Sequence, residues 1–166
     1  PVYRTEMLVP PYTEGITEAK DQITMFRQDG GKPEKRVTIK KQGLMTADSG
    51  FHNFLRAHFD ELMAGKTVEF HFAAAGRQDA YKFRAKREAD QTFEGKTAVQ
   101  FLIQPDSLLR FLVDPLHVVY DPDSRMLLEY RGISNVVNPK TNEEYDVRID
   151  FYSKPPPEVT KLPPLQ

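Results

Sequence analysis

His52, His58, His71 and His117 are the side chains of this 166-residue sequence that titrate near neutral pH, which makes them its first candidates for acid-base or metal chemistry. Their spacing does not make a metal pair. His52 and His58 stand six apart in a segment of helical periodicity and diverge by about 120° around the axis, while His71 and His117 belong to different strands. His58 is set apart because it falls inside an apolar stripe. A packed, hydrogen-bonded ring explains that position, and the alternative is a ligand-facing acid or base working with a tyrosine such as Tyr120 or Tyr130.

Other chemistry-bearing patterns have plainer explanations. Gly65-Lys66-Thr67 and Gly95-Lys96-Thr97 suggest a phosphate loop, but that loop needs a further glycine five positions earlier, where Asp60 and Asp90 stand. Both triplets also lead into strands, whereas a phosphate cradle feeds a helix. Asp121-Pro122-Asp123 offers two carboxylates for calcium without the glycine and the distal glutamate of a helix-loop-helix site, and Asp followed by Pro suits a type I turn. Adjacent carboxylates such as Asp60-Glu61 and Glu143-Glu144 point apart on regular elements. No nucleophile elbow, zinc helix or dinucleotide loop is present, so no cofactor or metal is expected. Lys82, Arg84, Lys86 and Arg87 give one strand a basic outer face, but its aromatics point the other way, which suits a solvated face paired with Glu69 better than a nucleic-acid surface.

The elements that hold these residues are mostly strands. Val68, Phe70 and Phe72 alternate with polar neighbours, as do Tyr81, Phe83 and Ala85, and Val99, Phe101 and Ile103; the three segments are expected to pair as a meander. Val2 to Val9 reads as a first strand ended by Pro10-Pro11, with Tyr12 to Gly15 a turn. Gln22 to Arg27 and Arg36 to Lys41 flank a glycine-rich hairpin turn at Asp29 to Pro33. Leu116 to Tyr120, Arg125 to Arg131 and Glu144 to Tyr152 complete the strands. One amphipathic helix, about residues 49–64, places Phe51, Phe54, Leu55, His58, Phe59, Leu62 and Met63 on one face. Asp48 or Ser49 caps its start, and Gly65 suits a left-handed C-terminal cap. Leu108 to Val113 is an apolar cluster that reads as a short helix or a buried strand.

These signals predict a mainly β (α+β) fold: a curved antiparallel meander sheet or half-barrel packed on one amphipathic helix. A single domain over residues 1–154 is expected, followed by a proline-rich extended tail over 155–166. With 11 Phe, 7 Tyr and 39% hydrophobic residues, the chain has material for a core without disulfides, which the absence of cysteine excludes. Charges nearly cancel, 23 Lys and Arg against 24 Asp and Glu, so no global field attracts nucleic acid or an anionic membrane. No apolar run is long enough for a membrane-spanning helix. The sequence starts at Pro1, which agrees with a removed leader or with an N-terminus trimmed in another way.

Tyr3-Arg4-Thr5-Glu6, Ala64-Gly65-Lys66-Thr67-Val68, Val119-Tyr120-Asp121-Pro122 and Tyr130-Arg131-Gly132-Ile133-Ser134-Asn135 carry a resemblance that covers most of the chain. The sequence resembles a group of uncharacterised β-rich proteobacterial proteins, some of which look like exported domains of unknown function. The resemblance implies a long curved sheet wrapping a helix, as in half-barrels that carry lipid. Family members have a longer segment after the first strand, so Pro10 to Lys20 reads as a shortened connection.

The leading expectation is a non-enzymatic, envelope-associated domain, periplasmic or otherwise exported, with a cytoplasmic place as the alternative. It would bind an apolar small molecule or lipid, or another envelope protein. Tyr130, Arg131 and Asn135 combine polar heads with a break in the sheet at Gly132, and Leu109 and Phe111 belong to the apolar cluster; these five are the candidate binding residues. The alternatives are a small hydrolase or isomerase with a pocket between helix and sheet, in which His58 acts, and an assembly module that recruits another chain by a sheet edge or the tail.

Overall fold

The computed structural model describes residues 3–8, 11–47, 50–106, 114–138, 140–141 and 143–157, with the side chains of Asn135 and Val137 outside the description. Its elements run β1 (Tyr3–Leu8), β2 (Pro11–Ala19), β3 (Gln22–Asp29), β4 (Lys35–Lys40), β5 (Met45–Ala47), α1 (Phe51–Ala57), α2 (Phe59–Met63) and β6 (Val68–Ala74). There follow β7 (Asp79–Arg87), β8 (Gln91–Phe93), β9 (Lys96–Pro105), β10 (Leu116–Tyr120), β11 (Leu127–Val137) and β12 (Glu144–Asp150). The mainly β architecture with a helical layer is as expected. The meander β6-β7-β9 forms as the alternation predicts, and the hairpin β3-β4 turns through Gly30 at φ +57°.

The strands divide into two open sheets, a separation the period-2 pattern does not reveal. β1-β2-β3-β4 form a four-stranded antiparallel sheet, and β12-β11-β10-β9-β7-β6-β5 form the larger one, with β8 beside β9 and β5 parallel to β6. Ile16, Ile23 and Met25 of the small sheet pack on Ala47, Ala73 and Ala75, which joins it to the β5-β6 end of the large sheet. Removing these apolar faces from water is what holds the sheets together.

Tyr12 to Gly15, expected as a turn, and Pro10 to Lys20, expected as a shortened connection, instead contain β2, which pairs with β1 on one side and β3 on the other. Pro11 is tolerated as the first residue of the strand, where a missing N–H does least harm. Gly15 lies opposite Phe26, and a Cβ on it would be 2.5 Å from Phe26 Cζ. The glycine is there to seat an aromatic ring, and it carries no turn.

The expected helix is two short ones. His58, at φ −102° and ψ 14°, separates α1 from α2. Hydrogen bonds continue across it, from His58 N to Phe54 O at 3.2 Å and from Leu62 N to His58 O at 3.1 Å. The break lets Phe59 enter the core against Phe101 and Tyr120, ring centroids 5.3 and 5.8 Å away, so packing overrides helical continuity. At the C-terminus, Gly65 at φ +77° donates to Leu62 O at 2.9 Å and Lys66 donates to Glu61 O at 3.0 Å. That pair is the Schellman cap expected of Gly65. Gly50 occupies the N-cap position, while Asp48, Ser49 and the Leu108 to Val113 cluster lie outside the described residues.

On β11, Gly132 adopts φ +144° opposite Val147, and a Cβ there would overlap Leu116 Cδ2 and lie 3.4 Å from Leu116 Cα. Gly132→Ala is therefore expected to destabilise the chain by about 1–3 kcal/mol in chemical denaturation, through strain at positive φ and overpacking of Leu116. An unchanged midpoint would show that the strand straightens freely at this point.

Candidate functional site

The dyad suggested by sequence, His58 with Tyr120 or Tyr130, is not assembled. His58 Nδ1 lies 2.8 Å from Glu61 Oε1 and its ring packs on Phe54 at 4.6 Å. His52 is the ring that reaches Tyr120, with the phenol oxygen 2.8 Å from Nδ1 and the rings 5.4 Å apart. Sequence reasoning misses this pair because 68 positions separate its members. The only available signal is that one helical turn from Phe51 must face the aromatic end of β10.

Tyr120 is 0% exposed, and burial pushes its phenol pKa upward; burial also lowers that of His52, with the nearby Arg56 charge adding to the effect. At neutral pH both groups are held uncharged. A neutral imidazole facing a protonated phenol is a hydrogen-bonded pair without net charge. The pair ties α1 to the last residue of β10.

Tyr130 and Arg131 point to opposite faces of the sheet. Tyr130 lies opposite Val118 on the helix-covered face and donates from its hydroxyl to Ile133 O at 2.5 Å. Arg131 sits on the other face, where it and Arg148 hold Glu129, a carboxylate only 2% exposed, at 2.8 and 2.9 Å. Gln100 bridges Glu88 and His117 on this same face. The Asn135 side chain, Leu109 and Phe111 lie outside the described residues. The Asp121 carboxylate accepts from the Ser124 amide at 2.7 Å and the Asp123 amide at 3.1 Å, which makes the segment a turn and keeps the carboxyl below its usual range. Among the described residues no group of three or more His, Cys, Asp or Glu could hold a metal.

Several features among the described residues can engage something outside the chain, and two stand out. One is a cleft of about 290 Å³ between the sheets, floored by Ile16, Ile23, Ala47 and Ala73, with the Glu18–Lys41 ion pair beside it. The other is β12, the last strand of the large sheet, which has no strand on its far side among the described residues. Its odd-numbered side chains are apolar, with Val147 half-buried and Tyr145 at 43%, Ile149 at 44% and Phe151 just beyond the strand at 47% exposed. Its even-numbered side chains are Glu144, Asp146, Arg148 and Asp150. The Phe151 amide donates inward to Leu128 O at 2.8 Å. Since backbone groups alternate along an antiparallel ladder, the N–H and C=O of Asp146, Arg148 and Asp150 point away from β11.

The buried dyad gives a pH prediction. Because burial holds His52 below its ordinary value of 6.5, the folded chain binds fewer protons than the unfolded one near that pH. The stabilisation is complete above the ordinary value and is lost as pH falls through it towards the lowered one. His52→Gln should flatten that part of the stability-against-pH curve, measured by denaturant titration from pH 8 to about 5; superimposable slopes would show that the ring titrates as if in water. Compared with models of protein families, with curated proteins and with solved structures, the chain finds no match.

Proposed function

We propose that this chain is a binding module whose working surface is the free edge of β12, where it takes up an extended segment of another polypeptide as an additional strand. The observation that carries the reading is the edge itself: seven residues of regular strand, outward-facing backbone groups at Asp146, Arg148 and Asp150, and an apolar stripe through Tyr145, Ile149 and Phe151. An added strand gains main-chain hydrogen bonds from the edge, and its alternate side chains lie beside the stripe. The helix-covered core face of the sheet continues into that stripe, because Ile149 pairs with Tyr130 and Tyr130 with Val118.

A second reading, a small apolar ligand, is favoured by the cleft beside Ile16 and Ala73. Native mass spectrometry of gently purified protein would show an added mass, and a clean chain mass would remove this reading.

The edge is tested with random ten-residue peptides displayed on phage and selected on the folded protein. Asp146→Pro removes an outward N–H and leaves the ladder to β11 untouched. Selected peptides are expected to bind the Asp146→Pro protein at least about tenfold more weakly and to slow amide exchange at Asp146, Arg148 and Asp150 in the unsubstituted one. Binders that hold the two proteins equally, with no protection at those amides, would overturn the edge reading.

A further inference from the structure

We infer that the strand β12 accepts is β4 of a second copy of this chain, joined antiparallel and head to tail. The inference rests on the edge reading above and adds the identity of the partner.

β4 is the terminal strand of the small sheet, with β3 on one side and no strand on the other among the described residues. The Lys41 amide donates to Asp21 O at 2.7 Å, opposite it in the ladder. By the same alternation, the backbone groups of Arg36, Thr38 and Lys40 point outward. Thr24 Oγ1 and Thr38 Oγ1 lie only 2.7 Å apart, as side chains do in a pair whose backbone groups face away from each other. An outward residue of β4 must therefore meet an outward residue of β12, so only registers that place even-numbered residues opposite one another are available.

Among those registers, one places Arg36 opposite Asp150, Thr38 opposite Arg148 and Lys40 opposite Asp146. No like charges face each other. The other side of the joined sheet then sets Val37 against Ile149 and Ile39 against Val147, continuing the apolar stripe. A shift of two residues either way puts Arg36 or Lys40 opposite Arg148. Like charges directly opposite are destabilising, so the register is selected by charge and by backbone direction together.

Self-pairing of either edge is worse. Centred on Val147, β12 against its own copy gains Asp146 opposite Arg148 but sets Glu144 opposite Asp150 twice, and the neighbouring registers pair Asp146 or Arg148 with itself. β4 against β4, centred on Thr38, opposes Arg36 and Lys40 twice, and the neighbouring registers gain no pair of opposite charges within the strand. Among the other edges of the described residues, β5 has three residues, and β1 offers one outward cation, Arg4, to the mostly anionic β12 where β4 offers two. A contact between two different edges leaves one of each unpaired at the ends of the assembly, so it propagates into a chain of copies unless the rotation closes a ring.

The test is sedimentation velocity over a range of protein concentration with the full chain, using Lys40→Glu and Asp146→Lys, both at exposed positions. The unsubstituted protein is expected to grow beyond a dimer with concentration, and each variant alone to associate roughly tenfold more weakly. An equimolar mixture of the two should regain association, because the carboxylate introduced on β4 of one copy would then meet the ammonium introduced on β12 of the next. That recovery also shows both variants are folded. A protein that stays monomeric, an Asp146→Lys effect with none from Lys40→Glu, or a mixture that fails to recover would each overturn β4 as the partner strand. The edge reading would survive these outcomes if the displayed peptides still required the β12 amides, and would fall separately if they did not.

Discussion

The fold depends on one aromatic contact, the edge-on packing of Phe59 against both Phe101 of β9 and Tyr120 of β10, whose own ring centroids are 5.6 Å apart. All three rings are essentially buried, and each removes a large apolar surface from water, about 2–3 kcal/mol apiece by area. The helix continuity lost at His58 is small beside that gain. Leu55, Leu62 and Phe70 complete the layer, and Arg125 lies over the outer side of Phe59 at 5.1 Å while pairing with Asp60 at 2.8 Å. The same contact positions His52 over Tyr120, so the pairing of this histidine with this tyrosine is a consequence of core packing.

The helical layer covers the large sheet from β6 to β10, and the consequences of stopping there shape the rest. Beyond β10 no helix among the described residues covers the core face: Leu116 fills the space a Gly132 side chain would take, Tyr130 turns its hydroxyl back to Ile133, and Val147 is only half-buried. On the opposite face the end of the sheet is braced by charge, with Glu129 enclosed between Arg131 and Arg148 and Arg148 also bound to Asp150 at 3.0 Å. A buried carboxylate with two guanidinium partners is tolerated only when its oxygens are satisfied. This brace ties β12 to β11.

How far these features are legible in the sequence follows from the range of the interactions that make them. The meander β6-β7-β9, the hairpin β3-β4 and the Gly65 cap are set by alternation, turn residues and a local hydrogen-bond motif, all of which a sequence displays. The break at His58 and the strand through Tyr12 to Gly15 are set by Phe59 and Phe26, whose partners come from other elements, and local composition points the wrong way in both. Of the candidate site residues, His58 stands out for lying in an apolar stripe, and its ring does pack on Phe54. Tyr130 and Arg131, neighbours in sequence, are divided between faces by the strand period. The His52–Tyr120 pair and the division into two sheets have no local signature at all. Alternation in Glu144 to Tyr152 announces a strand but is silent on its place at the end of a sheet.

That place is what makes the even-numbered charges of β12 informative. Edge strands are ordinarily protected by charge, and on β4 the positions that face outward, Arg36 and Lys40, carry one sign and so repel a second β4. β12 carries both signs, with Arg148 drawn to Glu129 and Asp150 while Asp146 remains on the exposed rim. Protection by like charge works against a copy of the same edge and fails against an edge of the other sign. A chain that ends one sheet in cationic outward positions and the other in mostly anionic ones is thus guarded against each homotypic pairing and open to the heterotypic one. The division of the strands into two sheets supplies both ends to a single molecule.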